Sequence, residues 1–266
     1  MSVSKLKFQF NKEYYSEFVN KLQDLSHISD VIKLKIDGDF ILAYSLVASE
    51  SAVLCLKSYN LSTSKYLIGW DDTQTFDFVI SSSSRFCKNL KFFETFDVIK
   101  CEIHFKPSYE DREVMHIRAM AISTPAIKGD RLKITLVGSE LSRIRDINRS
   151  ILAARMNPKL TKWSFKLQPD DLTTIKRMSS INSEDRIISI NVSDGLVYFS
   201  EDGKWDIQVG ESSTSNTKVT FAKKYLSNII TESGEIDIKI FETFILVSDK
   251  DSTLLLSFET DFNSED

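Results

Sequence analysis

Hydrophobic and polar positions along this chain follow two periods in a fixed order. Some short segments alternate at period two, which marks a strand with one face buried and one face wet. In residues 31–37, Ile32, Leu34 and Ile36 fall on one side and Lys33, Lys35 and Asp37 on the other. In residues 235–241, Ile236, Ile238 and Ile240 oppose Asp237 and Lys239. Other stretches repeat at the helical period, with one apolar stripe each. Phe86, Leu90 and Phe93 share a face against Ser84, Lys88 and Lys91, and Leu172, Ile175 and Met178 line up against Thr173, Lys176 and Arg177. Ala222, Tyr225, Leu226 and Ile229 oppose Lys223, Lys224, Ser227 and Asn228. Tyr14, Phe18, Leu22 and Leu25 form a fourth stripe, with Lys21 on the polar side.

These elements recur as one unit, used four times. Each unit is a short strand, a helix of about three turns and about three further strands. The leading strands are 5–10, 75–80, 162–167 and 217–221, and the helices are 11–25, 81–93, 169–181 and 222–230. Helix entries carry the expected signals: Asn11 before the first, the run Ser81 to Ser84 before the second, and Pro169 with Asp170 and Asp171 at the third. Asp37-Gly38-Asp39, Asp194-Gly195 and Asp202-Gly203 supply hairpin turns, so the sheets are expected to be largely antiparallel. Residues 60–74 and 106–113 read as long hairpin loops. A stretch from Gly138 to Lys162 breaks the repeat and reads as a linker, helical over part of 139–155. The expected organisation is an amino-terminal domain over 1–140, a connector over 141–161 and a carboxy-terminal domain over 162–266. Repetition of this kind builds an assembly by stacking or ring closure, in which function can lie in the shape of the whole.

Composition places few chemistries on the chain. It has 266 residues, 42% hydrophobic and 27% charged, with 8 Gly and 4 Pro. That is enough apolar material for a real core and too little glycine for phosphate-cradling loops. Cys55, Cys87 and Cys101 show no C-x-x-C and no metal-ligand spacing, and read as reduced, buried thiols. His27, His104 and His116 are scattered; only the last two could meet, across a hairpin, and no carboxylate or cysteine set completes a metal site. No nucleophile elbow, phosphate loop or zinc-binding helix motif is present. The amino end has no signal-peptide core, and no apolar run is long enough to cross a bilayer. The expectation is an intracellular, cytoplasmic protein that is not an enzyme and holds no cofactor or metal.

Charge is the more informative quantity. The chain is acidic overall, at -4. The four helices nevertheless hold nine basic residues against five acidic ones, and residues 139–162 hold six against two. Basic groups are therefore concentrated on helices and linker, and the acidic excess lies elsewhere. Ordinary solvated helix faces could give the same count, so the charge alone leaves both readings open.

Taken with the order of elements, the sequence resembles the DNA polymerase sliding clamps, in particular the two-domain clamps that close as trimers: proliferating cell nuclear antigen and the clamps of T-even-like phages. VIKLKIDGDFILAYSLVASESAVLCL (31–56) is similar to the first-unit hairpin of that family, and EIDIKIFETFILVSDKDSTLLLSFE (235–259) to its last. The resemblance covers nearly the whole chain and rests on order and spacing. It implies an α+β fold of two similar domains, each with two β-α-β-β-β units, with antiparallel sheets outside and helices lining a ring. It further implies a homotrimeric processivity factor, viral or phage, that encircles double-stranded DNA without sequence preference and tethers the replicative polymerase and other replication proteins, with a clamp loader as a further partner and no membrane. Candidate phosphate contacts are Lys21, Arg85, Lys88, Lys91, Lys176, Arg177, Lys223 and Lys224. A pocket for partner peptides would involve Leu46, Val47, Ile151 and Phe258. Two other readings fit the repeats: a β-rich virion or scaffold protein, and a monomeric processivity factor with an open basic face.

Overall fold

A computed structural model describes residues 5–48, 53–70, 75–107, 115–127, 132–135, 137–138, 157–181, 186–229 and 234–258. The chain divides into two compact units, one gathering residues 1–46 and 58–146, the other 47–57 and 147–266.

Up to residue 138 the elements run β1 (Lys5–Phe10), α1 (Lys12–Ser26), β2 (Ile32–Asp37), β3 (Phe40–Ala48), β4 (Val53–Ser62), α2 (Thr63–Tyr66), β5 (Leu67–Ile68), β6 (Thr75–Ile80), α3 (Ser83–Phe92), β7 (Ile99–Pro107), β8 (Met115–Ser123), β9 (Leu132–Thr135) and β10 (Val137–Gly138); all belong to the first unit except the end of β3 and the first half of β4, which belong to the second. One sheet has the order β5-β1-β7-β8-β9, and the strands β10-β6-β2-β3 are neighbours in another. Their ladders are antiparallel. The period-two strands behave as their pattern dictates: Ile32, Leu34 and Ile36 are all buried. α1 and α3 lay their apolar stripes on the same core. Phe18, Val19, Leu22 and Leu25 from α1 and Phe86, Cys87 and Leu90 from α3 pack with Phe8 and Phe10 of β1 and Ile103 of β7. Each fully buried aliphatic side chain of this kind stabilises the fold by about 2 kcal/mol. The stripe of α1 is centred one residue from the expected place, because Tyr15 is buried and Tyr14 only partly so.

The second unit continues with β11 (Trp163–Leu167), α4 (Pro169–Ile181), β12 (Ile187–Ser193), β13 (Leu196–Glu201), β14 (Trp205–Glu211), β15 (Thr217–Ala222), a 3₁₀ turn (Lys223–Asn228), β16 (Ile236–Ile240), β17 (Phe244–Ser248) and β18 (Ser252–Ser257). One sheet has the order β14-β13-β12-β15, and β18-β17-β16-β11 are neighbours in another. Ile236, Ile238 and Ile240 are buried, with Asp237 exposed between them. Asp194 and Gly195 both have positive φ, 53° and 81°, as a two-residue hairpin between β12 and β13 requires.

The fold is thus α+β with antiparallel sheets, and strand, helix and three strands follow one another in three of the four repeats. The chain departs from the expected elements in local detail. The fourth helix is a 3₁₀ turn over Lys223–Asn228, not an α-helix of about three turns. Six residues held at both ends by tertiary bonds are too few for α-helix propagation to outweigh nucleation. The 60–74 segment is not a plain loop: β4 runs to Ser62, α2 follows, and β5 adds an edge strand to β1. The serines before α3 do not cap it with their own side chains; Asp30 Oδ1 accepts from the Ser84 amide at 3.4 Å. Ser83, fully buried, instead donates its hydroxyl to the Ser29 carbonyl. The expected helix over part of 139–155 lies outside the described residues, as does most of the 106–113 loop.

Candidate nucleic-acid interface

α3 is the clearest cationic surface. Its buried arc, Phe86, Cys87, Leu90 and then Phe93, fixes the rotation of the helix on the core. Tyr15 of α1 reinforces it, donating its hydroxyl to the Leu90 carbonyl at 3.0 Å. The opposite arc carries Arg85, Lys88 and Lys91, all exposed. At about 100° per residue these three positions fall within about 120° of one another. α3 carries no carboxylate, so the stripe is uncompensated on its own element.

Lys21 does not join such a surface. It is 2% exposed, and its ammonium lies 3.3 Å from Glu17 and over the ring of Tyr59. The 3.6 period places it beside Leu22 and Leu25, not on the wet side, and the carboxylate one turn earlier compensates its burial. Glu17 is the hub of that arrangement. It also accepts from Lys65 Nζ at 2.9 Å and Tyr66 Oη at 2.5 Å. Partial burial pushes its carboxyl upward, but the hydrogen bonds from Lys65, Tyr66 and Lys21 outweigh this and hold it at about 2. Tyr59 meanwhile donates to Asp24 Oδ2 at 2.6 Å. Lys33, expected on a wet strand face, is likewise buried and pairs with Asp77 at 3.2 Å.

In the second unit the four cations divide into two kinds. Arg177 and Lys224 are exposed, the latter with its ammonium 4.9 Å from the Tyr225 ring centroid. Lys176 is half-buried and donates to the Ile229 carbonyl, fastening α4 to the end of the 3₁₀ turn. Lys223 pairs at 2.7 Å with Glu201, a residue only 1% exposed that also accepts from Trp205 Nε1 at 2.9 Å. Lys57, almost fully buried, donates to the Asn228 carbonyl at 2.6 Å. Sequence periodicity alone treats all these lysines as equivalent. What separates them is a carboxylate or a carbonyl distant in sequence, which no local window contains.

Of the residues singled out for a partner pocket, Leu46 and Val47 are consecutive, half-buried positions late in β3. Phe258 follows β18, is half-buried, and its amide donates to the Thr243 carbonyl at 3.1 Å. Ile151 lies outside the described residues. His104 and His116 are not opposite one another: the register pairs His104 with Ala119 and His116 with Lys106. Among the described residues no group of three or more His, Cys, Asp or Glu side chains could hold a metal ion. All three cysteines are buried; burial pushes the Cys87 thiol up to about 11 and the Cys101 thiol further, so neither is a ready nucleophile. No helix among the described residues is long and apolar enough to cross a membrane.

No protein-family model matches the chain, and no curated protein matches it. Solved structures do. A PCNA2–PCNA3 complex from Sulfolobus tokodaii aligns over 96% of this chain and 99% of its own, with a TM-score of 0.60 and 12% identity. PCNA from Thermococcus kodakaraensis aligns over 96% of this chain and 100% of its own, with a TM-score of 0.63 and 13% identity. Agreement over nearly all of both chains, with the strand and helix order described above, means that this chain has the fold of the PCNA-type DNA sliding clamps.

Proposed function

We propose that the protein is a sliding clamp, a ring of three copies that encircles duplex DNA and tethers the replicative polymerase and other replication proteins. The observation that carries the reading is the clamp fold along 96% of the chain. The cations of α3, a helix without a carboxylate of its own, support it. A ring that slides needs diffuse attraction to phosphates and no base-specific grip, and Lys and Arg supply that. Arg85, Lys88, Lys91, Arg177 and Lys224 are the phosphate contacts in this reading, and Lys21, Lys176 and Lys223 hold the fold around them. The domains are an amino-terminal clamp domain over 1–140, a connector over 141–161 and a carboxy-terminal clamp domain over 162–266. Partner peptides would dock near Leu46, Val47, Ile151 and Phe258.

Ring closure needs open strand edges, and β14 is the longest edge strand among the described residues, at seven residues. It carries neither lysine nor proline, the usual protection of an exposed edge. β15 and β11, edges of similar length, carry Lys218 and Lys166. An edge that lacks lysine and proline and whose charges, Asp206 and Glu211, are acidic is the one proposed to pair with a strand of a second copy. Light scattering at micromolar concentration tests the assembly. A mass about three times 30.4 kDa is expected, and a single-chain mass would remove the ring.

A further inference from the structure

α3 carries a feature that attraction to phosphates does not use. Phe92, the last residue of the helix, is 59% exposed. Its neighbour Phe93 is 5% exposed and anchors the helix end in the core. At about 100° per residue Phe92 falls on the wet face, between Arg85 and Lys88 in angle and within the same arc of about 120° that holds Lys91. Two aromatic neighbours brace the ring. Phe93 meets it edge-on with centroids 5.4 Å apart, and Phe96 lies at 5.6 Å in a tilted contact. These contacts hold the ring in place while most of its surface stays in water.

A braced, exposed aromatic ring inside a stripe of three cations has the composition of a single-strand platform. Cations follow the backbone, and the ring offers a face on which an unpaired base can stack. Duplex DNA keeps its bases stacked on one another and offers such a ring nothing comparable. We infer that Phe92, with Arg85, Lys88 and Lys91, forms a binding site for unpaired nucleotides of single-stranded DNA, engaged where a duplex ends. The site deepens the proposed clamp function and rests on it. It gives the protein a preference for the junction between duplex and single strand over uninterrupted duplex.

The test is fluorescence anisotropy of the full chain at low salt with three labelled probes: a thymidine 20-mer, a duplex of the same length, and a duplex with a single-stranded overhang. Variants are Phe92→Ala, Phe92→Trp and the triple change Arg85→Ala, Lys88→Ala, Lys91→Ala. Phe92→Ala is expected to weaken the thymidine oligomer and the overhang about tenfold, the loss of one stacked base, and to leave the duplex unchanged. Phe92→Trp should keep the affinity, because its ring stacks as well, and a Phe92→Ala protein with unchanged circular dichroism keeps the comparison on folded chains. The triple variant should weaken all three probes. Equal affinity of wild type and Phe92→Ala for the overhang, with duplex binding intact, overturns the inference and leaves the clamp reading standing. Failure of the wild type to bind any probe, duplex included, overturns both.

Discussion

Lys21 and Glu17 sit one turn apart on α1 with ammonium and carboxylate 3.3 Å apart, and the lysine side chain is only 1% exposed. A cation that the linear pattern places among candidate DNA contacts is a buried structural element. Lys21→Ala is therefore expected to cost stability, about 2 kcal/mol, by removing a hydrogen-bonded charge partner and leaving a cavity. Urea denaturation measures this, and retention of the folded variant on DNA should equal that of wild type. A variant of unchanged stability with weakened DNA binding would reverse the assignment.

Glu17 gives the fold a defined acid sensitivity. Its carboxyl is held at about 2 by Lys65, Tyr66 and Lys21 against an ordinary value of 4.5. A depressed carboxyl contributes stability in full above its unfolded value and loses it as pH falls through the folded one. Stability should therefore drop between about pH 5 and pH 2. Glu17→Gln should flatten that part of the profile while lowering stability at pH 7. The measurement is the urea midpoint across the pH range for both proteins, and identical slopes would refute the role given to Glu17.

In the second unit Lys223 and Lys224 are adjacent in sequence and are expected to differ sharply. Lys223 compensates Glu201, whose side chain is fully buried, whereas Lys224 is exposed. Lys223→Ala leaves a buried carboxylate with only the Trp205 indole as a donor among the contacts described, and should destabilise by about 3 kcal/mol. Lys224→Ala should stay within about 0.5 kcal/mol of wild type. Thermal unfolding of the two single variants checks both, and equal melting temperatures would contradict the assignment.

β14 gives a prediction about assembly. Ile207 lies half-buried on this edge strand. Ile207→Lys adds a lysine, the residue that natural open edges most use to prevent pairing, to a strand whose only charges are Asp206 and Glu211. The variant should remain folded and shift from the trimeric to the single-chain mass in light scattering. A trimer that persists at the same concentration would place the subunit contact on another strand.

Much of the fold is legible in the sequence because it depends on local period. Strands such as 32–37 and 236–240 alternate strictly, and α1, α3 and α4 carry their own apolar stripes. The fourth helix is misread because its stripe, Tyr225, Leu226 and Ile229, fits a helix as well as it fits a short 3₁₀ turn. Bonds to Asn228 and Ile229 from Lys57 and Lys176, far away in sequence, belong with the shorter form. The candidate site is legible to the extent that its cations share an element with no carboxylate. Arg85, Lys88 and Lys91 lie on a helix with no acidic residue, so composition suffices. Lys21, Lys33 and Lys223 have carboxylate partners that only the folded chain, or for Lys21 a neighbour one turn away, brings close. The helical period puts Phe93 on the apolar stripe and Phe92 off it, but the period alone does not mark an aromatic ring on the wet face as a site; its 59% exposure in the folded chain does.

The most direct test of encirclement compares duplexes that differ only at their ends. A linear biotinylated duplex is offered with both ends free, or with both ends blocked by streptavidin before the protein is added. A ring that threads onto DNA should bind the free-ended duplex and lose nearly all retention when the ends are blocked. Protein already threaded should stay trapped when blocking follows binding. The Arg85→Ala, Lys88→Ala, Lys91→Ala triple variant should leave the free-ended duplex faster, with a weaker dependence on salt. Equal retention on free and blocked duplexes would contradict the account, because the protein would then bind DNA from an open face.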